Sequence, residues 1–378
     1  MGLYIPYKSL SGLKEYKYSS IDKSPVSNYV LKPFWRQFVK LFPLSMAPNL
    51  VTLTGLFFVL INLVTVIYYN PSLDQECPSW VYYSCAAGLF LYQTFDACDG
   101  MQARRTGSSS PLGELFDHGC DAINTTFGVI IFASTVGLGT GWKFFLVHYG
   151  ILSNFYQSTW EEYYTGTLYL AFISGPVEGI LMIIAIHAAT GYYGPQIWKS
   201  VIGDIAFGLP LPEYILNLTL VDAYIIFATS LIIPIIIQSS ISAINAQRSK
   251  PGHRYGFSSL QGLVPFNVFA AGYALWYYVV SEEFEPFHKL MFILIVIGLS
   301  FALQVGQIII AHLTLQPFPN FSATIFICWI AVAAHYLGFS PISYTYLLIG
   351  LTIGLYAGFV GDVIADFTEF LGIHCFRV

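Results

Sequence analysis

Charge is what this sequence has least of. Its 378 residues carry 16 basic and 21 acidic side chains, 10% charged in all, where a soluble domain holds roughly 25%. That is too little to cover a 42.1 kDa particle with a hydrated shell, which excludes an ordinary soluble enzyme and a disordered chain. A basic surplus is also missing: the net charge is −5, so nucleic acid is not an expected partner. The six cysteines form no CxxC pair, which leaves neither a zinc site nor a disulfide framework in view. There is no internal repeat and no low-complexity run. The first 49 residues hold seven Lys/Arg and no short apolar stretch followed by a cleavage site, so no removed signal peptide is expected.

What remains is apolar (56%) and aromatic (17%), the composition of an all-α, polytopic integral membrane protein. A bilayer core takes about 20 apolar residues as helix, and the backbone must satisfy itself there. Ten spans are expected: 50–70, 80–103, 113–138, 142–160, 169–192, 222–244, 260–281, 289–312, 322–340 and 344–370. With ten spans both termini share a side. Thirteen of the sixteen basic residues fall on that side and only Lys143, Lys199 and Lys289 on the other, which places both termini in the cytosol. Before the first span, Val30, Leu31, Phe34, Trp35, Phe38, Val39 and Phe42 form an apolar stripe beside Lys32, Arg36 and Lys40. This pattern predicts a basic amphipathic helix in the membrane interface.

Five of the 21 acidic residues crowd into positions 96–121: Asp96, Asp99, Glu114, Asp117 and Asp121. They fall at the cytosolic ends of spans two and three, and acids at membrane depth are functional candidates by default. Asp96 and Asp99 are spaced i, i+3; Asp117 and Asp121 are spaced i, i+4; each pair shares a helix face. Gly100, Ala103 and Gly113 continue those faces with small side chains, so something large can approach the backbone. Four carboxylates on neighbouring helices repel one another unless cations lie between them, and hard oxygen ligands suit Mg²⁺ or Mn²⁺. The linking segment Arg104 to Ser110 adds positive charge and flexible donors, which suits phosphate. Metal beside Arg104 points to chemistry on a pyrophosphate.

These residues read Asp96-x2-Asp99-Gly100-x2-Ala103-Arg104-x8-Gly113-x3-Asp117-x3-Asp121, which matches the CDP-alcohol phosphotransferase signature at every fixed position. The surroundings Phe95 to Gly100 and Ser110 to Asp121 resemble the eukaryotic choline/ethanolamine phosphotransferase branch. Met46 to Thr52, Trp160 to Tyr163, Gly175 to Gly179 and His312 to Pro319 are similar to fungal members. The resemblance implies ten transmembrane helices, a homodimer, a location in the endoplasmic reticulum or Golgi membrane, and a site open to cytosol and lipid. It implies a cytosolic segment 1–49, a catalytic unit 50–244 and a C-terminal four-helix part 245–378. It implies transfer of phosphocholine or phosphoethanolamine from CDP-choline or CDP-ethanolamine to diacylglycerol, with release of CMP. Asp96, Asp99, Asp117 and Asp121 would then hold two divalent metals (Mg²⁺ or Mn²⁺), Gly100, Ala103 and Gly113 would line the nucleotide, and Arg104 would meet the phosphates.

A lipid hydroxyl is barely ionised at neutral pH, so a base is expected within reach. His118, between two of these acids in sequence, is the candidate, with Asp121 its rival. Glu178 is expected about nine residues, or about 13 Å, into span five, after a kink at Pro176, where it can orient His118. Asn49 either hydrogen-bonds the nucleotide or caps the first helix. Trp160 to Tyr163 read as an interfacial aromatic belt rather than an ammonium cage, and Asp362 and Asp366 as structural. A transporter predicts mid-membrane acids in repeated halves, and a prenyl transferase predicts a different acid spacing. Inositol or glycerol phosphate transfer fits the signature but not its surroundings.

Overall fold

The computed structural model describes residues 2–170, 176–205, 211–250 and 256–378. Gly175, and Arg254, one of the thirteen basic residues counted on the cytosolic side, lie outside them. The described chain is helical apart from one short pair of parallel strands, β1 (Ser20–Asp22) and β2 (Leu168–Leu170). In chain order the helices are α1 (Lys32–Phe38), α2 (Pro48–Tyr69), α3 (Ser79–Thr106), α4 (Pro111–Val136), α5 (Trp142–Thr165) and α6 (Pro176–Tyr193). Two short helices follow, α7 (Ile202–Ile205) and α8 (Glu213–Leu216), then α9 (Leu220–Arg248) and α10 (Val264–Val279). α11 (Pro286–Met291) runs on into α12 (Gly298–Leu313), and α13 (Ile327–Tyr336) and α14 (Pro341–Leu371) complete the set.

Among the described residues, five helices are long and apolar enough to cross a membrane: Pro48–Tyr69, Pro111–Val136, Leu220–Arg248, Pro286–Leu313 and Pro341–Leu371. A described helix also underlies each of the other five expected spans. α3 and α5 have the length, at 28 and 24 residues. Their hydropathy is lowered by polar residues such as Asp96, Asp99 and Arg104 on α3 and Glu161 and Glu162 on α5.

α3 packs chiefly between α2 and α6, while α4 packs on α2 and α12. Two glycines allow the α2–α3 approach. A Cβ on Gly88 would meet Asn62 Nδ2 at 2.0 Å, and one on Gly55 would meet Phe95 Cβ at 2.9 Å. α4 is pinned from two sides by buried imidazoles. Thr126 bonds His148 Nε2 at 3.1 Å and Thr135 bonds His187 Nδ1 at 2.8 Å, which fixes α4 relative to α5 and α6. Such satisfied buried polar pairs set a helix's rotation more strictly than apolar packing does.

Two expectations change here. The 30–42 stripe is not one lipid-facing surface. Leu31, Trp35, Val39 and Phe42 are buried against Val51, Phe95 and Cys98, whereas Val30, Phe34 and Leu41 are exposed. The helix is therefore seated on α2 and α3 by one edge of its stripe. Of span five, residues 169 and 170 belong to β2, residues 171–175 lie outside the described residues, and the described helix α6 runs from Pro176. The expected kink at Pro176 adjoins residues 171–175, which lie outside the described residues. Glu178 accordingly lies in the first turn of α6 and not nine residues deep; there its charge complements the helix N-terminus.

The two ends of the described chain meet. The backbone N–H groups of Leu3 and Tyr4 donate to Asp362 Oδ2 at 2.7 and 3.2 Å, a structural use of Asp362. The segment after Gly372 folds back toward α2, where Asn49 Nδ2 donates to the Cys375 carbonyl at 2.9 Å.

Candidate functional site

The facing ends of α3 and α4 open on a cavity of about 1130 Å³. α3 is closed by Gly107 at φ +69°, a left-handed conformation that favours glycine. α4 begins at Ser110, whose side chain accepts from the Gly113 N–H. The turn between them brings both acid pairs to one place. Ligand oxygens of Asp96, Asp99 and Asp117 all lie within 4.8 Å of one another, and Asp121 lines the same cavity.

Their partners differ in an informative way. Asp99 Oδ2 accepts from Thr52 Oγ1 at 2.5 Å, and Asp121 Oδ1 accepts from the Tyr92 hydroxyl. Asp96 Oδ1 and Asp117 Oδ1 are buried with no partner. Buried, mutually repelling carboxylates without donors are costly. The donor set, all hard oxygen and partly orphaned, fits one or more divalent cations.

Gly100, Ala103, Arg104 and Gly113 line the cavity, as do Ser108, Ser109 and Ser110. A Cβ at Gly100 would meet only Arg104 Nη1, at 3.6 Å; one at Gly113 would meet Asn49 Oδ1 at 3.8 Å and Ser110 Oγ at 3.9 Å. Packing does not demand glycine at either position, and the space beside both is open to the cavity. The two arginines have separate roles. Arg105 is held by the Val39 carbonyl and by Gln102 Oε1, while Arg104 is exposed at the cavity and makes no hydrogen bond or ion pair among the described residues. At the N-terminus of α4, Pro111 has no N–H and the Gly113 N–H is taken by Ser110, so this end favours an anion mainly through the helix dipole. Asn49 is not a cap, since the N-cap of α2 is Ala47.

His118 lines the cavity and is 8% exposed. Its ring lies within 4.8 Å of carboxylate oxygens from Glu114 and Glu162. Glu178 is elsewhere engaged: its Oε1 accepts from Ser24 Oγ, and its Oε2 is buried without a partner. No described hydrogen bond joins Glu178 to His118. Trp160 is buried, and its indole N–H donates to the Ser259 carbonyl, so it is a core residue and not part of an interfacial belt.

Sequence reasoning missed several residues of this site. Tyr92 lies one turn before Asp96, and its spacing on that face could have shown it. Tyr16 and Tyr18 before β1, and His374, Cys375 and Arg377 after α14, also line the cavity. No local pattern marks those five, because each arrives from a distant part of the chain.

A helical protein with membrane-crossing helices, and with eight signature residues gathered round one acid-lined cavity, defines a class. A profile of the CDP-alcohol phosphatidyltransferase family matches residues 45–206. The full chain aligns at 42% identity with 98% of Cholinephosphotransferase 1 of Saccharomyces cerevisiae. It aligns at 40% identity with 98% of Choline/ethanolaminephosphotransferase 1 of the same yeast. For Choline/ethanolaminephosphotransferase 1 of Arabidopsis thaliana the identity is 37%, over 99% of this chain and 98% of that one. The chain belongs to the CDP-alcohol phosphatidyltransferase family.

Proposed function

We propose that this protein transfers phosphocholine or phosphoethanolamine from CDP-choline or CDP-ethanolamine to sn-1,2-diacylglycerol, forming phosphatidylcholine or phosphatidylethanolamine and CMP. The observation that carries this reading is the shape of one cavity. At one end lie Arg104, Gly100, Gly113 and the N-terminus of α4; in the middle lie four carboxylates; beyond them run apolar residues including Leu89, Ile131, Phe132, Ile180 and Ile183. A polar nucleotide and an apolar lipid are thereby offered the same reaction centre.

Asp96, Asp99, Asp117 and Asp121 would hold two divalent ions, Mg²⁺ or Mn²⁺; bound there, the ions neutralise the pyrophosphate and the charge that develops during transfer. Thr52 and Tyr92 fix two of the carboxylates by hydrogen bonds. Arg104 and the Ser108–Ser110 turn receive phosphate oxygens, and glycines at 100 and 113 let the nucleotide approach the helix backbone. The diacylglycerol hydroxyl attacks the β-phosphate; the P–O bond to CMP breaks and the hydroxyl proton passes to His118 Nδ1 or Nε2. Asp121, with one oxygen already taken by Tyr92, is the weaker base. Glu178, engaged by Ser24 through Oε1, has only its buried, unpartnered Oε2 left to orient another group.

The same reading includes a homodimer in the endoplasmic reticulum or Golgi membrane with the site facing the cytosol; the one-sided basic residues support that orientation. The test is purified protein with diacylglycerol, Mg²⁺ and equimolar CDP-choline and CDP-ethanolamine, scoring both products. Phospholipid from at least one donor is expected, and none from either would refute the proposal. His118→Ala should abolish transfer while CDP-alcohol still binds; lost binding would move His118 to a binding role.

A further inference from the structure

Glu114 and Glu162 are unused by the reaction just described, yet they are buried beside it. Glu114 lies one turn before His118 on the face of α4 turned toward α5, and Glu162 lies in the last turn of α5. Their carboxylate oxygens and a His118 ring nitrogen all fall within 4.8 Å. Both oxygens of Glu114 are buried without a partner. Glu162 is 5% exposed and its carboxylate makes no hydrogen bond among the described residues. No described ion pair includes either residue.

The donors do not balance. Glu114 brings two buried oxygens with no partner and Glu162 a carboxylate with no hydrogen bond among the described residues, and burying a polar group without a partner is expensive. A cationic, hydrogen-bonding ligand would satisfy this corner. We propose that Glu114 and Glu162 receive the positively charged ammonium end of the alcohol carried by the CDP donor, and so form its head-group site. This rests on the transferase reading above and adds the residues that recognise the alcohol.

The placement suits that task. Glu114 precedes the metal-binding candidate Asp117 by three residues, about 4.5 Å along the helix axis. That span is comparable with the two-carbon bridge between phosphate and nitrogen in these alcohols. Tyr18 adds an aromatic face at the cavity rim, within electrostatic reach of Asp96, Asp117 and Glu162. It is held there because Ser20–Asp22 pairs with Leu168–Leu170 just after α5, and the Leu168 N–H donates to the Ser19 carbonyl at 3.0 Å. Carboxylates with an aromatic face make a general recognition surface for an ammonium ion.

The test compares CDP-choline with the CDP ester of 3,3-dimethylbutanol, which has the same shape and no charge. In the wild type the KM of the neutral donor should exceed that of CDP-choline by about tenfold or more, the scale of a lost buried charge pair. In the Glu114→Gln/Glu162→Gln double variant that ratio should collapse toward one, mainly through a raised KM for CDP-choline. KM does not depend on how much of the variant folds, and inhibition by CMP should be unchanged. Equal losses for both donors would assign the pair to His118 or to a metal and overturn the proposal, as would an unchanged ratio. Wild-type protein that makes no phospholipid refutes the transferase reading itself; normal transfer with an unchanged ratio refutes only the head-group site.

Discussion

Thr52→Val isolates what holds one of the four carboxylates in place. Thr52 is 2% exposed and donates to Asp99 Oδ2 at 2.5 Å; valine keeps the shape and deletes the donor. A hydrogen bond to a charged group contributes about 1.5–3 kcal/mol, and each 1.36 kcal/mol is about tenfold. If Asp99 binds metal, its orientation is worth about 10- to 100-fold in metal affinity, the range found for other residues that steady a ligand from behind. Transfer measured against Mg²⁺ concentration should therefore show a half-saturation point raised by about that factor. A Mn²⁺ binding isotherm on the same protein should move in parallel. Thr52→Ser, which restores the hydroxyl, should return both toward wild type. At saturating metal the donor KM should change little, since Thr52 is not asked to touch nucleotide. A Thr52→Val protein with the wild-type Mg²⁺ midpoint would refute the claim that Asp99 is a metal ligand held by this bond.

Gly100→Ala should leave the fold intact or more stable by about 0.5–1 kcal/mol through helix propensity, because its Cβ meets only the mobile end of Arg104. Donor KM should nevertheless rise steeply; thermal unfolding and transfer kinetics on one preparation separate the two effects. Asp117→Asn should end transfer yet raise the unfolding temperature measured in EDTA, since it relieves repulsion within the Asp96–Asp99–Asp117 cluster; a lower temperature would argue against that repulsion. Asp22 provides a pH test. Burial acts to raise its pKa, but hydrogen bonds from Ser27, Lys32 and Ser24, with the Lys32 charge, hold it below the usual 3.8. Its contribution is thus complete above the ordinary carboxylate range and is lost as pH falls through the lowered value. Hydrogen exchange in residues 20–31 should accelerate only below about pH 4, and Asp22→Asn should remove that dependence.

The acid cluster was legible because i, i+3 and i, i+4 spacing turns a one-dimensional pattern into two helix faces, and Asp96 to Asp121 do converge on one cavity. The apolar stripe at 30–42 was legible as a face, but its cover was not: which of Leu31 and Val30 is buried depends on the α2–α3 surface beneath. Glu178 was misplaced because apolar residues before Pro176 extended the apparent span, though proline equally begins a helix. Glu162 was read with its sequence neighbour Trp160 as part of a belt, whereas its spatial neighbours are Glu114 and His118 on another helix. Tyr18 and Cys375 reach the cavity through strand pairing and through a hydrogen bond from the Asn49 side chain to a carbonyl across most of the chain.

That last arrangement bears on how the protein is made. The signature acids are in place once α4 has left the ribosome, but the wall formed by residues 372–378 follows about 250 residues later, on the order of 10–50 s at 5–20 residues per second. Throughout that interval Asn49 has no Cys375 carbonyl to hold and the cavity is open on that side. A nascent chain therefore carries every signature residue for about 250 further residues of synthesis without this wall. A truncation that removes this stretch should leave the motif intact and the cavity without the wall that His374, Cys375 and Arg377 provide.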